Sequence, residues 1–340
     1  MSKKRKLLYI GNKLSKAGNT ITSIETLGAL LQQEGFEIMF SSSKKNKALR
    51  LIDMLFAVIK NALKVDYILI DTYSTQNFYY AVAVGNLARL FKIKYIPILR
   101  GGDLPSRLKN SPSQSKKFFG SAYLNIAPSL YLKEVFEKEG YNNLRHIPNT
   151  IEIKNYEFKL REKPEFNLLW VRSFNKIYNP KLAIDVVSSL ISEGYNATLC
   201  MIGPDKDGSL EECKRIAITQ NLPITFTGGL PKEKWIKKSE EFDIFINTTN
   251  FDNTPISAIE AMALGLPVIS TNVGGLPYLL ETNKDGILVP PNNSKAFVKE
   301  IIKLIEQPGN AQKLSKKARK KVECFDWKIV KHQWLQLLNQ

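Results

Sequence analysis

Residues 247–290 of the chain read NTTNFDNTPISAIEAMALGLPVISTNVGGLPYLLETNKDGILVP. The run Ile256–Leu264 has the apolar spacing of a helix, and the apolar run Pro267–Ser270 that follows predicts a strand. A Gly-Gly pair at 274–275 opens a short predicted helix, and Gly286–Val289 predicts a further strand. Continuous apolar strands that alternate with helices are typical of a parallel sheet covered on both faces. This stretch therefore predicts part of a doubly wound α/β domain.

The same alternation runs along the rest of the chain. In the second half, we predict earlier strands at Asn167–Val171, Ala197–Ile202, Ile224–Thr227 and Ile244–Asn247, with helices between them and two helices closing the chain. In the first half, we predict strands at Leu7–Ile10, Phe36–Ser41, Tyr67–Ile70, Tyr95–Leu99 and Ala122–Ala127, again with helices between them. The length of 340 residues suits two domains, one for each half.

Composition excludes several classes of protein. The chain is 44% hydrophobic and 24% charged, as a globular protein is, and its three cysteines have no short spacing, which argues against a disulfide framework or a zinc knuckle. The apolar run Leu7–Ile10 is too short for a signal peptide. The longest uncharged run, between Asp71 and Arg89, contains too many polar residues for a membrane span. These observations predict a soluble cytoplasmic protein.

Positive charge is concentrated in the first half of the chain. Residues 1–160 contain 25 Lys and Arg against 12 Asp and Glu, and residues 161–340 contain 24 against 20. The basic half should meet an anionic partner. Its clusters in 41–50 and 107–117 are either a solvated basic face or a surface for docking on anionic lipid.

Three motifs in the quoted stretch carry a resemblance to a known family. Glu260 opens the run EAMALGLPV, Asp252 stands eight positions earlier, and residues 274–278 read GGLPY. The stretch resembles the donor-binding half of the retaining glycosyltransferases of family 4, glycosyl transferases group 1. That family has Glu-x7-Glu before AMA-G-PV and a Gly-Gly-x-Pro-Glu turn. Here Asp252 replaces the first Glu, and Tyr278 replaces the Glu of the turn.

The resemblance implies a GT-B fold, an α/β architecture of two Rossmann-like doubly wound domains facing across a cleft. It is strong over 165–292 and architectural over 1–155. It implies an N-terminal acceptor-binding domain at 1–155, a nucleotide-sugar-binding domain at 156–322, and a C-terminal helix at 323–340 that returns to the N-terminal domain.

The helix of the quoted stretch is the expected donor site. Pro255 is well placed as a first helical residue, and the free N–H groups of a helix start suit a diphosphate. The resemblance implies that Asp252 orients the donor sugar as a catalytic residue and that Glu260 binds the ribose. The predicted substrate-binding residues around this helix start are Asn253, Thr254, Pro255, Ile256 and Ser257.

Two cations and a glycine complete the expected donor site. Arg172 follows a predicted strand and matches the arginine with which the family holds the diphosphate, so we predict a catalytic role for it. A guanidinium fork suits diphosphate oxygens. Lys176 is the candidate for the family's lysine, although Lys181 also flanks that place. Gly229 resembles the loop beside the nucleotide base.

The first half offers a less specific set of candidates. Gly11 and Gly18 lie in the loop after the first strand, and Arg100 and Asp103 follow a later strand. We predict that these four residues contribute to substrate binding. Many relatives have a reactive-site histidine in this domain, but His146 and the other histidine, His332, do not fit that place and are predicted to be structural.

A metal or another cofactor is not expected. The Asp205-Lys206-Asp207 run precedes Gly208 and is better interpreted as a turn than as a metal site. The resemblance implies a metal-independent enzyme whose donor is a UDP- or GDP-linked sugar.

The sequence thus predicts a retaining glycosyltransferase that moves a sugar to a glycan or lipid-linked acceptor in bacterial surface polysaccharide synthesis. Attack on the same face, with the donor phosphate taking the acceptor proton, is what the family implies. The expected location is the cytoplasm or the inner face of the membrane. Alternatives are a catalytically inactive binding subunit, a nucleotide-sugar epimerase of the same fold, and a nucleic-acid-binding protein, which would explain the charge but not the 247–290 motifs.

Overall fold

The computed structural model describes residues 5–14 and 22–340. It contains two compact units. The first comprises the described residues up to Thr150 together with Trp327–Gln340, and the second is Ile151–Asp326. These limits differ by a few residues from the predicted domain limits at 155 and 322.

The first unit is built on a six-stranded parallel sheet in the order β2-β1-β3-β4-β5-β6. Its strands are β1 (Lys6–Ile10), β2 (Glu37–Ser41), β3 (Tyr67–Thr72), β4 (Lys94–Leu99), β5 (Asn125–Ala127) and β6 (Leu144–His146). Its helices are α1 (Ser23–Gln33), α2 (Lys47–Asn61), α3 (Asn77–Leu90), α4 (Leu104–Asn110), α5 (Pro112–Gly120), α6 (Leu130–Lys138) and, from the end of the chain, α14 (Trp327–Leu338).

The burial of the central strands explains why they were recognisable as apolar runs. Every residue of β3 is buried, because the sheet is covered by helices on both faces. The predicted strand Ala122–Ala127 is shorter in the structure, since only 125–127 pair with neighbouring strands. The sequence analysis also missed α4, α5 and β6, which are short and lie among polar residues.

The second unit repeats the architecture with the strand order β12-β11-β10-β7-β8-β9, again all parallel. Its strands are β7 (Asn167–Val171), β8 (Thr198–Ile202), β9 (Ile224–Gly228), β10 (Ile244–Asn247), β11 (Val268–Thr271) and β12 (Ile287–Val289). Its helices are α7 (Pro180–Ser192), α8 (Ser209–Thr219), α9 (Lys232–Lys238), α10 (Ile256–Ala263), α11 (Leu276–Leu279), α12 (Ser294–Glu306) and α13 (Pro308–Val322).

The end of the chain corrects the prediction of two closing helices. Three α-helices follow β12, because Pro308 begins α13 one residue after α12 ends, and a 3₁₀ turn at Glu323–Phe325 followed by Asp326 separates α13 from α14. A proline at the first helical position lacks the N–H that would continue the previous helix. The buried side chains of α14, including Trp334, pack against the sheet of the first unit.

Within residues 5–14 and 22–340, the structure has no helix with the length and apolar character needed to cross a membrane.

Candidate active site

The strand order brings two of the predicted site segments together in the second unit. Arg172 directly follows β7, and the polar loop 248–255 directly follows β10, which pairs with β7 in parallel. Parallel neighbours end at the same edge of a sheet, where ligands of doubly wound folds bind. Thr248 ties the two segments together, because its hydroxyl oxygen accepts a hydrogen bond from Trp170 Nε1 at 3.0 Å.

Arg172 and Asp252 form an ion pair at this edge, through Nη2 and Oδ2. The guanidinium also lies over the ring of Tyr178, 4.0 Å from its centroid. Burial lowers the pKa of Arg172, but the Asp252 carboxylate and Tyr178 raise it, and the net direction is upward. The other oxygen of Asp252 accepts from the Asn253 N–H at 2.8 Å. The structure therefore joins the two residues that the sequence analysis predicted to be catalytic.

Three glycines allow the backbone to approach these two residues closely. A Cβ on Gly203 would lie 1.7 Å from the carbonyl oxygen of Arg172. A Cβ on Gly274 would lie 2.1 Å from the Asp252 carbonyl oxygen, and one on Gly275 would lie 1.9 Å from that of Asn253. A side chain at these positions would clash with the backbone. The absence of side chains at 274 and 275 therefore lets this turn pack directly against the loop that carries Asp252. The sequence analysis did not assign Gly203 to the site.

The start of α10 lies in the same loop. The helix begins at Ile256, as the run Ile256–Leu264 predicted, and Pro255 precedes it as an extended cap residue instead of being its first residue. The Pro255 carbonyl oxygen accepts from the N–H groups of Ala258 and Ile259. Helix geometry leaves the preceding N–H groups without an intrahelical partner. The Ser257 hydroxyl is buried and, within the described part of the chain, makes no hydrogen bond.

Glu260 lies one turn into α10 and is only 4% exposed. Its Oε1 accepts from the Tyr156 hydroxyl at 2.6 Å and pairs with Lys232 Nζ at 2.7 Å. Burial and the Glu260 carboxylate raise the pKa of Tyr156 well above its ordinary value. The sequence analysis missed both partners. Lys232 could have been suspected, since it follows the Gly228-Gly229 loop at the start of α9, whereas no signal points to Tyr156.

Lys176 and Gly229 lie in the loops after β7 and β9 and are held less specifically than Arg172 and Asp252. Lys176 is exposed in a single 3₁₀ turn, where its backbone N–H donates to Asp207 Oδ2 at 2.9 Å. A Cβ on Gly229 would make only ordinary contacts, with Pro204 at 3.7 Å. The neighbouring Gly228 has a φ of +69°, so it is the residue of this loop whose conformation favours glycine.

In the first unit, the structure builds a buried polar network around a residue that the sequence analysis did not select. Asp71 is the next-to-last residue of β3 and is fully buried, and its Oδ1 accepts from the Tyr9 hydroxyl at 3.0 Å and from Arg100 Nε at 3.1 Å. Arg100 Nη1 also donates to Asn149 Oδ1 at 2.7 Å. Burial raises the pKa of the Asp71 carboxyl, and Arg100 and Tyr9 oppose that rise. A Cβ on Gly11 would lie 3.0 Å from Asp71 Oδ2.

The network thus joins two of the predicted first-half residues, Arg100 and Gly11. Asp103 instead precedes α4, where its carbonyl oxygen accepts from the Arg107 N–H at 3.4 Å. Gly18 lies outside the described residues. The missed signal for Asp71 is its place at the end of a fully buried strand, since a carboxylate there needs partners.

Asp205 and Asp207 lie in a turn of the backbone. Asp205 Oδ1 accepts from the Gly208 N–H at 3.0 Å, and Asp207 Oδ1 accepts from the Ser209 N–H at 3.2 Å. Hydrogen bonds from Ser209 and from the Lys176 N–H outweigh burial and lower the pKa of Asp207. In the part of the chain that the structure describes, no group of three His, Cys, Asp or Glu side chains is placed to hold a metal ion.

Comparison with solved structures confirms the fold. The chain superposes on Anabaena HepE, crystallised in complex with UDP and glucose, with a TM-score of 0.77 over 98% of this chain and 99% of that one, at 17% sequence identity. The two parallel six-stranded sheets are those of the GT-B fold.

Sequence comparison identifies the family. Residues 152–321, half of the chain, match the model of glycosyl transferases group 1, and the chain belongs to that family. It is 24% identical over 290 residues to the amylovoran biosynthesis glycosyltransferase AmsK of Erwinia amylovora, covering 78% of this chain and 69% of AmsK. It is 29% identical over 135 residues to the capsular polysaccharide biosynthesis glycosyltransferase CapM of Staphylococcus aureus, covering 39% of this chain and 35% of CapM.

Proposed function

We propose that the protein is a retaining, metal-independent glycosyltransferase whose second unit binds a nucleotide-diphosphate sugar. The observation that carries the proposal is the Arg172–Asp252 pair beside the start of α10, at the carboxyl ends of two neighbouring strands. This arrangement combines a cation, a carboxylate and a helix N-terminus within one loop cluster, which are the groups that a charged sugar donor requires.

The diphosphate would bind to Arg172 and to the first N–H groups of α10. Both carry positive charge or partial positive charge, so both would stabilise the negative charge that grows on the leaving nucleotide. Arg172 Nε is buried and, among the described residues, has no hydrogen-bond partner, so one donor of the guanidinium is unused. Lys176, exposed beside this pair, is the second cation of the proposal.

The two carboxylates would divide the remaining contacts with the donor. Glu260, fixed by Tyr156 and Lys232, would accept hydrogen bonds from the ribose hydroxyls. Asp252 would orient the donor sugar. In the transfer itself, the bond from the sugar's anomeric carbon to the phosphate oxygen breaks, and the acceptor hydroxyl bonds to the same face of that carbon. The acceptor's proton goes to the departing phosphate oxygen.

The nature of donor and acceptor is proposed from chemistry and from the relatives. HepE is described as a complex with UDP and glucose, which supports a UDP-linked sugar as the first donor to test. The names of CapM and AmsK support an acceptor glycan, free or lipid-linked, in bacterial polysaccharide synthesis. The first unit, with Gly11, Arg100 and Asp103, would bind the acceptor, and its positive charge would face an anionic membrane surface.

Thermal unfolding of the purified chain with UDP, GDP or ADP, without metal, tests the donor site. A nucleotide present at about 100 times its Kd adds about 2.7 kcal/mol to the free energy of unfolding, which raises the melting temperature measurably. We expect a shift with one nucleotide and its loss in Arg172→Ala and Glu260→Ala. Arg215→Ala, which removes an exposed arginine of α8, is the matched control and should keep the shift. No shift with any nucleotide would contradict the proposal.

A catalytically inactive binding subunit is the second candidate, favoured by Asp252 in place of the family's glutamate. Nucleotide release from the donor that gives the thermal shift separates the two. Release that falls at least about 100-fold in Asp252→Asn, while the thermal shift persists, identifies an enzyme. If the donor gives a thermal shift but no nucleotide is released from it with any of the glycan or lipid-linked acceptors tested, the protein is a binding subunit.

A further inference from the structure

Helix α2 carries a row of exposed apolar side chains on the face that points away from the core. The row consists of Leu49, Ile52, Phe56 and Ile59, and Leu63 continues it just beyond the helix; we call these five residues the α2 stripe. Ile52 is 62% exposed and Phe56 is 60% exposed. Spacings of three and four residues place all of them on one side of a helix.

The opposite side of the same helix is also apolar. Met54 and Val58 are buried against the sheet of the first unit. A surface helix normally turns polar residues outward once its core face is buried. Single exposed apolar residues are ordinary, but a continuous row of them marks a surface that binds something.

Lysines flank the α2 stripe at both ends. Lys44, Lys45 and Lys47 precede or open the helix, and Lys60 and Lys64 lie at its end; all five are exposed. Within the described residues, none of the five forms an ion pair, and Lys47 donates to the Gln76 amide oxygen at 2.9 Å. The acid of the helix, Asp53, is half-buried and accepts from the Ser41 hydroxyl at 3.0 Å. Among the described residues, the charged side chains at both ends of the stripe are therefore lysines, and the one acid of α2 bonds to Ser41.

The lysine-rich start of α2 is held in place by its neighbours. The Asn46 side chain caps the helix by accepting from the N–H groups of Ala48 and Leu49. The buried Arg50 donates to the carbonyl oxygens of Lys44 and Lys45, both at 2.8 Å. These contacts fix the backbone, so that the lysine side chains project into solvent. The surface is preorganised and does not need to fold when it binds.

We propose that the α2 stripe and its flanking lysines dock the protein on an anionic lipid bilayer. The apolar side chains would enter the boundary between headgroups and acyl chains, and the lysines would contact lipid phosphates. The flanking lysines favour a membrane over a protein partner, since lysine is depleted at protein–protein interfaces but is favoured at anionic membranes. Because α2 follows the carboxyl end of β2, its lysine-rich start lies at the edge of the sheet where ligands bind in such folds.

This inference deepens the proposed function and rests on it for its purpose, since a lipid-linked acceptor would be met at such a surface. The binding itself can be tested without a donor or an acceptor. A failure of the lipid experiment and a failure of the nucleotide experiment are therefore separate results.

Sedimentation of the full chain with vesicles tests the proposal. We expect binding to vesicles of phosphatidylcholine with phosphatidylglycerol, weakened by salt, and much less binding to phosphatidylcholine alone. The double variant Ile52→Ser/Phe56→Ser should lower the partition coefficient by about tenfold or more, because both side chains lose their apolar area. Lys45→Gln/Lys60→Gln should weaken binding only to the anionic vesicles.

Ile218→Ser is the matched control, because Ile218 is 80% exposed on the second unit and lies outside the α2 stripe. It should bind vesicles as the wild type does. All variants should unfold cooperatively near the melting temperature of the wild type, measured without nucleotide, which shows that they fold. Equal binding of the stripe variant and the wild type would overturn the proposal. A wild-type dimer in light scattering that the stripe variant abolishes would also overturn it and assign the stripe to a second copy of the chain.

Discussion

At the scale of single residues, two backbone carbonyl groups leave no room for a side chain at positions 274 and 275. Gly275 has a φ of −87°, which any residue adopts, so its backbone conformation does not require glycine. The requirement comes from the Asn253 carbonyl oxygen, which a Cβ would meet at 1.9 Å. The Gly275 N–H also donates to the Asp252 carbonyl oxygen at 3.0 Å. The turn therefore positions the loop that holds Asp252 against Arg172.

We predict that Gly275→Ala displaces this loop and weakens nucleotide binding. The added methyl group must push residues 252 and 253 away, at a cost of about 1–3 kcal/mol in the free energy of unfolding. The Arg172–Asp252 pair should be disturbed in the same variant. Chemical denaturation measures the first effect, and the nucleotide-induced shift of the melting temperature measures the second.

Gly309→Ala is the control for this variant. Gly309 lies in the first turn of α13, and a Cβ there would meet nothing within 4 Å. Alanine is the better helix former, so the change should leave stability unchanged or raise it by up to about 1 kcal/mol. If the two variants had the same stability and the same nucleotide shift, the proposed packing of the Gly274-Gly275 turn on the loop would be wrong.

At the scale of elements, the edge strand β6 places a histidine in a partly buried position. His146 pairs in register with Ala127 of β5. Burial lowers the pKa of His146 below its ordinary 6.5, the nearby charge of Lys133 lowers it further, and a hydrogen bond to the Pro128 backbone opposes both. In the unfolded chain the same histidine takes up a proton more readily, so protonation favours unfolding.

We therefore predict that His146 makes the first unit less stable in mild acid. The unfolded state binds the proton as the pH falls through about 6.5, and the folded state binds it only at lower pH. The stability difference between wild type and His146→Asn should change across that window, with the wild type losing more. Chemical denaturation of both chains from about pH 7.5 to pH 5 measures the difference.

Lys133→Gln checks the cause of this effect. Removing the lysine charge should raise the pKa of His146 and reduce the loss of stability in acid, although burial would still act. Identical pH dependence in wild type and His146→Asn would show that the histidine is not responsible.

At the scale of the whole molecule, the alternation of apolar runs and helices was sufficient to predict both parallel sheets. It failed for α4, α5 and β6, because helices of seven and nine residues and a strand of three residues show too little periodicity. The resemblance to family motifs selected Arg172, Asp252 and Glu260 as expected donor-site residues. Tyr156 and Asp71 were missed because their hydrogen-bond partners are distant in the sequence. Tyr156 bonds to Glu260, 104 residues away, and Asp71 bonds to Arg100, 29 residues away. Residues so far apart in the sequence become neighbours only in the folded structure.

The last helix of the chain completes the first unit. In α14, Trp334 is 2% exposed and packs in the core cluster that includes the buried strands β1 and β3. Truncating a buried tryptophan to alanine removes its apolar area and leaves a cavity, at a cost of about 3–5 kcal/mol. We predict that Trp334→Ala destabilises the first unit, although only six residues of the sequence follow this position.

Hydrogen exchange resolved by peptide measures where this loss falls. In Trp334→Ala, the amides of β1, β3 and β4 should exchange faster than in the wild type. This increase in exchange rate should be larger than the increase for amides of β7, β8 and β10, because Trp334 packs in the first unit. Gln336→Ala changes an exposed residue of the same helix and should leave both sets unchanged. Equal acceleration in both units would mean that they unfold as one cooperative body, and α14 would then stabilise the second sheet as much as the first.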